Sequence, residues 1–207
     1  MNKVFINNME IILRLIKKNS YLYNENDSIY WDNKSFVIEA LENNGDALRY
    51  ASEEFQNDKE IVLKAVIKSG WALEYASKEL QNNKEIVQLA VKSTGWALSF
   101  ASGKLRNDKE VVLLALETSS GYALKFASNE LKNDKEIVFD ALKRFGFYLK
   151  YASNRFRTNK KLIMIALKNI HFVNYIVLKK NNHKFKIGML FNSLNLKKNF
   201  KKILEYY

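Results

Sequence analysis

A string of three residues, an aromatic followed by Ala and Ser, returns at nearly constant intervals along this chain. It reads Tyr50-Ala51-Ser52, Tyr75-Ala76-Ser77, Phe100-Ala101-Ser102, Phe126-Ala127-Ser128 and Tyr151-Ala152-Ser153, with spacings of 25, 25, 26 and 25 residues. A second string, Asn57-Asp58-Lys59-Glu60, recurs as Asn82-Asn83-Lys84-Glu85, Asn107-Asp108-Lys109-Glu110 and Asn133-Asp134-Lys135-Glu136. Five of the seven glycines, Gly45, Gly70, Gly95, Gly121 and Gly146, share one phase of the period. Such a period marks an array of small units, each too short to bury its own apolar face and stacked on its neighbours to do so. No proline occurs in the 207 residues, so the strongest helix breaker is missing and the units read as helices.

Each unit reads as a pair of short helices. Asn57 and Glu60 have the spacing of a capping box, which predicts that the first helix starts at Asn57. Ile61, Val62, Ala65 and Val66 then form one apolar stripe, with Lys59, Lys64 and Lys68 off it. Gly70 is placed to close that helix in a left-handed conformation. A second helix is expected from Trp71 to Leu80, with Ala72, Leu73, Ala76 and Leu80 inward. The fold class is therefore all-α, an α-solenoid of tandem 25-residue helix-turn-helix repeats with helical caps. The extra residue among Thr118, Ser119 and Ser120 falls in the turn between the two helices, where an insertion is cheap.

The organisation follows from where the period fades. Residues 1–30 read as an N-terminal capping helix, with Phe5, Met9, Ile12, Leu13 and Ile16 at helical spacing, and a connector. Five repeats fill 31–157, and Asp46 replaces the aromatic of the later units in the first of them. A degenerate sixth repeat occupies 158–182, where His171 stands at the glycine position. A basic amphipathic helical tail fills 183–207.

Aromatic-Ala-Ser, Asn-Asp-Lys-Glu, and Gly followed by an aromatic and Ala-Leu together resemble the bacterial and viral repeat known as domain of unknown function 4116, over roughly Asp32 to Leu167. The resemblance implies a non-catalytic recognition scaffold. Some phage members of that family resemble inhibitors of RNA-targeting CRISPR nucleases that act on synthesis of the nuclease, so the resemblance implies an anti-CRISPR type of inhibitor of host defence-protein expression.

Two sets of residues are candidate sites. On the second helix Trp71 and Tyr75 point away from the core stripe, and Trp96 with Phe100, Tyr122 with Phe126, and Phe147 with Tyr151 repeat the pair. Stacking would align these eight rings, either as inter-repeat core or as a groove that grips a protein segment or bases. The second set is basic. The chain carries 34 Lys+Arg against 22 Asp+Glu, a formal +12, and eleven lysines against the single acid Glu205 lie between Thr158 and Tyr207. Lys179, Lys180, Lys184, Lys186, Lys197, Lys198, Lys201 and Lys202 are expected to meet RNA or a ribosome, with a solvated basic face and an anionic lipid surface as the alternatives.

Chemistry is otherwise sparse. The chain has no cysteine, which removes disulfides, thiolate metal sites and a cysteine nucleophile. No phosphate loop, nucleophile elbow or zinc motif occurs, and no cofactor, metal or small-molecule substrate is expected. The Asp58, Asp108 and Asp134 series belongs to helix starts. His171 and His183 are the only imidazoles and would serve a nuclease only as an acid-base pair. The expected function is a non-enzymatic, cytoplasmic scaffold that binds a protein segment on its repeats and RNA at its basic end. A general RNA-binding solenoid and an RNase are the alternatives.

Overall fold

The computed structural model describes residues 3–18 and 27–166, with side chains from residue 8 onward. Residues 19–26 of the expected connector 19–30, the Phe5 side chain, the sixth repeat beyond residue 166, His171, His183 and the eight basic-tail lysines lie outside the described residues, and the end of the connector is helical. The chain divides into two compact units, Met1–Ser119 and Ser120–Tyr207.

Described residues are helical and no strand occurs among them. In the first unit α1 (Lys3–Lys17) packs on α3 (Lys34–Asn43), and α2 (Ser28–Trp31) leads into α3. Ile12, Leu13 and Ile16 of α1 are buried, and so are Tyr30 and Trp31 of α2. The long helices α3, α5 (Lys59–Lys68), α6 (Lys84–Ser93) and α8 (Lys109–Thr118) pack in sequence order, each on the next. In the second unit α9 (Lys135–Arg144) packs on the 3₁₀ helix Gly146–Tyr151. The chain is helical again from residue 160 to the last described residue, 166.

The expected stripe forms the core. Ile61, Val62, Ala65 and Val66 of α5 are buried, as are Ile86, Val87, Ala90 and Val91 of α6 and Ile137, Val138, Ala141 and Leu142 of α9. Burying such side chains contributes roughly 1.5–3 kcal/mol for each Val, Leu or Ile, and within each unit Leu73, Leu98, Leu124 and Leu149 of the second elements join them in the core.

Three local readings of the sequence are corrected. The cap of α5 is Asp58, one residue later than Asn57: its carboxylate accepts from the N–H groups of Glu60 at 2.9 Å and Ile61 at 3.3 Å. Asn83, Asp108 and Asp134 cap α6, α8 and α9 in the same way. Asn57 is instead spent on the next repeat, where it accepts from the Ser77 hydroxyl at 2.5 Å. Asn82 accepts likewise from Ser102 at 2.6 Å, and Asn133 from Ser153 at 2.7 Å.

The expected second helix from Trp71 to Leu80 is two pieces. A 3₁₀ helix runs Gly70–Tyr75, Ala76 turns extended at ψ 152°, and a short 3₁₀ turn follows at Leu80–Asn82. Other repeats place a four-residue α-turn there: α4 (Glu53–Gln56), α7 (Gly103–Arg106) and α10 (Asn154–Arg157). The physical cause is competition for hydrogen bonds. The Ser77 N–H donates to the Gln56 carbonyl of the preceding repeat at 3.0 Å, and the Ser77 hydroxyl accepts from the Leu80 N–H at 3.3 Å. The carbonyls of Leu73, which keeps the Ala76 N–H at 3.3 Å, and Glu74 are met by the Gln81 side-chain amide, each at 3.1 Å. These four backbone groups at the break in the helical ladder are thereby satisfied.

The glycine column does not close helices in the left-handed region, except at Gly121 with φ +96° beside the inserted Ser120. Gly70 and Gly95 are glycines because the next repeat comes too close. A Cβ on Gly95 would overlap the Ala115 carbonyl oxygen, and one on Gly70 the carbonyl of Ala90. The α-helix of each repeat thus rests directly on the backbone of its predecessor.

Candidate functional site

With Ala72, Leu73 and Ala76 locked into the core, the other side of Gly70–Tyr75 faces outward. None of the eight rings expected to form the ladder is buried. Trp71 is 42% exposed and Trp96 39%, large values for the residue type. Tyr75, Phe100, Tyr122, Phe126, Phe147 and Tyr151 are partly covered, so the row packs across repeat boundaries while keeping part of its area in water.

The first unit brings three of the rings together across repeats. Trp71 lies 6.2 Å from Trp96 with planes inclined at 38°, and Phe100 meets Trp71 edge-on at 5.9 Å. Tyr75 lies toward the first repeat, where the Arg49 guanidinium sits 5.6 Å from its ring and 5.2 Å from that of Tyr50. Burial, followed by the neighbouring Glu74 charge, raises the Tyr75 hydroxyl above its ordinary value and keeps it a neutral donor.

The second unit holds a different cluster. Tyr122 contacts Phe126 at 5.6 Å, Tyr148 at 5.6 Å and Tyr151 at 5.7 Å, while Tyr148 stacks on Tyr151 at 6.2 Å and 18°. Phe147 and Phe145 lie against Tyr148. Lys125 donates to the Tyr122 hydroxyl at 3.1 Å, and Lys150 sits 3.9 Å from the Phe147 ring centre and 4.8 Å from that of Tyr151. The hydrogen bond from Lys125 is the main cause that lowers Tyr122, whereas burial, then the bond to Tyr122, pushes Tyr151 up to about 12. Burial also lowers Lys150 from its ordinary value.

Tyr148, Lys125 and Lys150 were not among the residues expected from the sequence. The signal for Tyr148 is its column: Ala47, Ala72, Ala97 and Ala123 precede it at the same position. Lys125 and Lys150 occupy the column of Arg49, Glu74 and Ser99, whose outward direction depends on the 3₁₀ geometry.

Carboxylates and exposed lysines form a second ladder along the helix starts of the first unit. Lys34 pairs with Asp58 at 3.0 Å, Lys59 with Glu85 at 2.7 Å, and Lys84 with Asp108 at 2.9 Å and Glu110 at 2.7 Å. Burial alone would raise the Asp108 carboxyl, but the hydrogen bond from Lys84 and the Val111 N–H outweigh it and hold it below its ordinary value. These acids are caps and pairs. Among the described residues no group of three or more His, Asp or Glu is arranged to hold a metal ion, and no helix is long and apolar enough to cross a membrane.

No curated protein and no solved structure matches the chain. The family described as Domain of unknown function (DUF4116) matches five times in overlapping series, at residues 33–81, 64–106, 83–132, 108–147 and 134–179. The stacked 25-residue units and these serial matches over most of the sequence place the chain in the DUF4116 family.

Proposed function

We propose that the first unit is a docking surface for a segment of a partner protein, gripped by Trp71, Tyr75, Trp96 and Phe100. The observation that supports this is the Trp71–Trp96 pair, two half-exposed indoles in contact across neighbouring repeats. Rigid amphipathic rings that keep their area in water are the residues that dominate binding energy when a partner covers them. Charge favours a protein over a polyanion here. The first unit has 15 Lys+Arg against 17 Asp+Glu, a formal −2, and Glu74 hydrogen-bonds within the ring row. An inhibitor of host defence-protein expression, the finer expectation brought by the resemblance, names one class of partner for this surface.

A displayed library of random peptides, panned on the full chain, tests the reading. Selected peptides should shift tryptophan emission to the blue, because two of the three tryptophans lie on the surface concerned. They should lose about tenfold or more in affinity for Trp71→Ala/Trp96→Ala, each truncation removing roughly 1–2 kcal/mol or more of contact. Peptides that bind the double variant as well as the parent would overturn it.

A further inference from the structure

The boundary between the two units also divides the charge. From Ser120 to Tyr207 the chain has 19 Lys+Arg against 5 Asp+Glu, a formal +14, so the second unit alone exceeds the +12 of the whole. Its aromatic cluster differs in kind from that of the first unit. There the interleaved column carries Arg49, Glu74 and Ser99, one cation beside an acid and a hydroxyl; here both residues, Lys125 and Lys150, are cations. Lys34, Lys59 and Lys84 are each paired with carboxylates, whereas ring faces and the Tyr122 hydroxyl are what Lys125 and Lys150 meet among the described residues. Tyr122, Tyr148 and Tyr151 are only partly covered and lie within 6.2 Å of one another.

We infer that the second unit binds single-stranded nucleic acid, with its bases on the Tyr122, Tyr148 and Tyr151 rings and its phosphates on Lys125 and Lys150. Unpaired bases offer a π-face to any ring, and a cluster of half-covered tyrosines supplies several at stacking range. The two ammonium groups supply the phosphate contacts that give affinity without base identity. A duplex hides its base faces and gains nothing from the tyrosines, so the site selects single strands. An acidic protein segment would also use the lysines, and the polyglutamate arm of the test separates it from a nucleic acid.

The test uses substitutions that other repeats already carry: Tyr148→Ala restores the alanine column, and Lys125→Ser with Lys150→Ser copies Ser99. Binding of a fluorescent oligouridine of about twelve residues, a length that covers one site of this kind, is followed by anisotropy at several salt concentrations. The triple variant should bind about tenfold or more weakly, and its salt dependence should be shallower by about 1.4 in log-log slope, the contribution of two phosphates. Ultraviolet cross-linking of the wild-type chain to 5-iodouridine RNA should map to the Tyr122–Tyr151 region. Unchanged affinity in the triple variant overturns the inference, as do cross-links confined to the segment 179–202, which carries Phe185, Phe191 and Phe200. Tighter binding of polyglutamate than of RNA, lost in the same variant, overturns it in favour of an acidic partner.

Discussion

At Gly95 a single added methyl group would meet the Ala115 carbonyl oxygen, the Ser119 Cβ at 2.7 Å and the Ser119 nitrogen at 2.9 Å. None of these is the far end of a flexible side chain, so neighbouring repeats must move apart to admit it. Gly95→Ala should lower stability by about 1–3 kcal/mol, the usual range for overpacking. Gly103 is the control. Nothing lies within 4 Å of a Cβ built there, and the equivalent residues Glu53, Lys78 and Asn154 already carry side chains. Gly103→Ala should be neutral or stabilise by about 0.4–1 kcal/mol through the unfolded chain. Urea midpoints at fixed pH read both, and equal effects of the two substitutions would contradict the close-approach account. The glycine column was legible in the sequence, but its cause was not. A left-handed backbone and a tight interface leave the same mark, and only Gly121 uses the first.

The helix starts make a separable contribution, because Asp58 and Asp108 cap α5 and α8 while the uncharged Asn83 caps α6 at the same position. Both aspartates are held below the ordinary value of 3.8: burial opposes this, but hydrogen bonds from Lys34 or Lys84 and from backbone N–H groups outweigh it. A carboxyl lowered in the folded state stabilises the fold fully above its unfolded value and loses that contribution as pH falls through the folded one. Wild type should therefore lose more stability than Asp58→Asn/Asp108→Asn when the pH drops from about 5 to about 3. At neutral pH the two should differ little, since the lysine partners are exposed. Parallel urea titrations at the two pH values check this, and identical acid limbs would remove the caps from the account. At this scale the sequence was readable where a motif is local. The apolar stripe of Ile61, Val62, Ala65 and Val66 is buried as expected. The broken second helix was not readable, because the bonds that break it join Ser77 to Gln56 and Asn57, about twenty residues back, and exist only once repeats stack. For the same reason the ring columns were visible while their exposure was not, since a ring beside a repeat boundary is core or surface according to how closely the glycines let the repeats approach.

Over the whole molecule, an array held by neighbour contacts should tolerate the loss of one complete unit and should not tolerate a fraction of one. Within the first unit, removing residues 78–102 joins Ser77 to Gly103 and keeps every local device. Ser102 already accepts from the Leu105 N–H at 3.3 Å, as Ser77 does from Leu80, so the retained serine finds the same donor. Gly70 then faces Ala115 and Ser119, the neighbours that Gly95 accommodates. The Asn57 side chain keeps Ser77, its partner in the parent chain. The shortened protein should retain its helical circular dichroism per residue, with a urea m-value lower by roughly an eighth, in proportion to the surface lost. Its midpoint should also fall, because one interface of buried Val, Ile and Ala is gone. Removing only about half a repeat shifts the serine, asparagine and glycine columns out of phase, puts side chains against the carbonyls that the glycines clear, and should abolish cooperative unfolding. If the half-repeat deletion were as stable as the full one, the 25-residue period would describe the sequence without governing the packing, and the exposed ring row that depends on that packing would lose its basis.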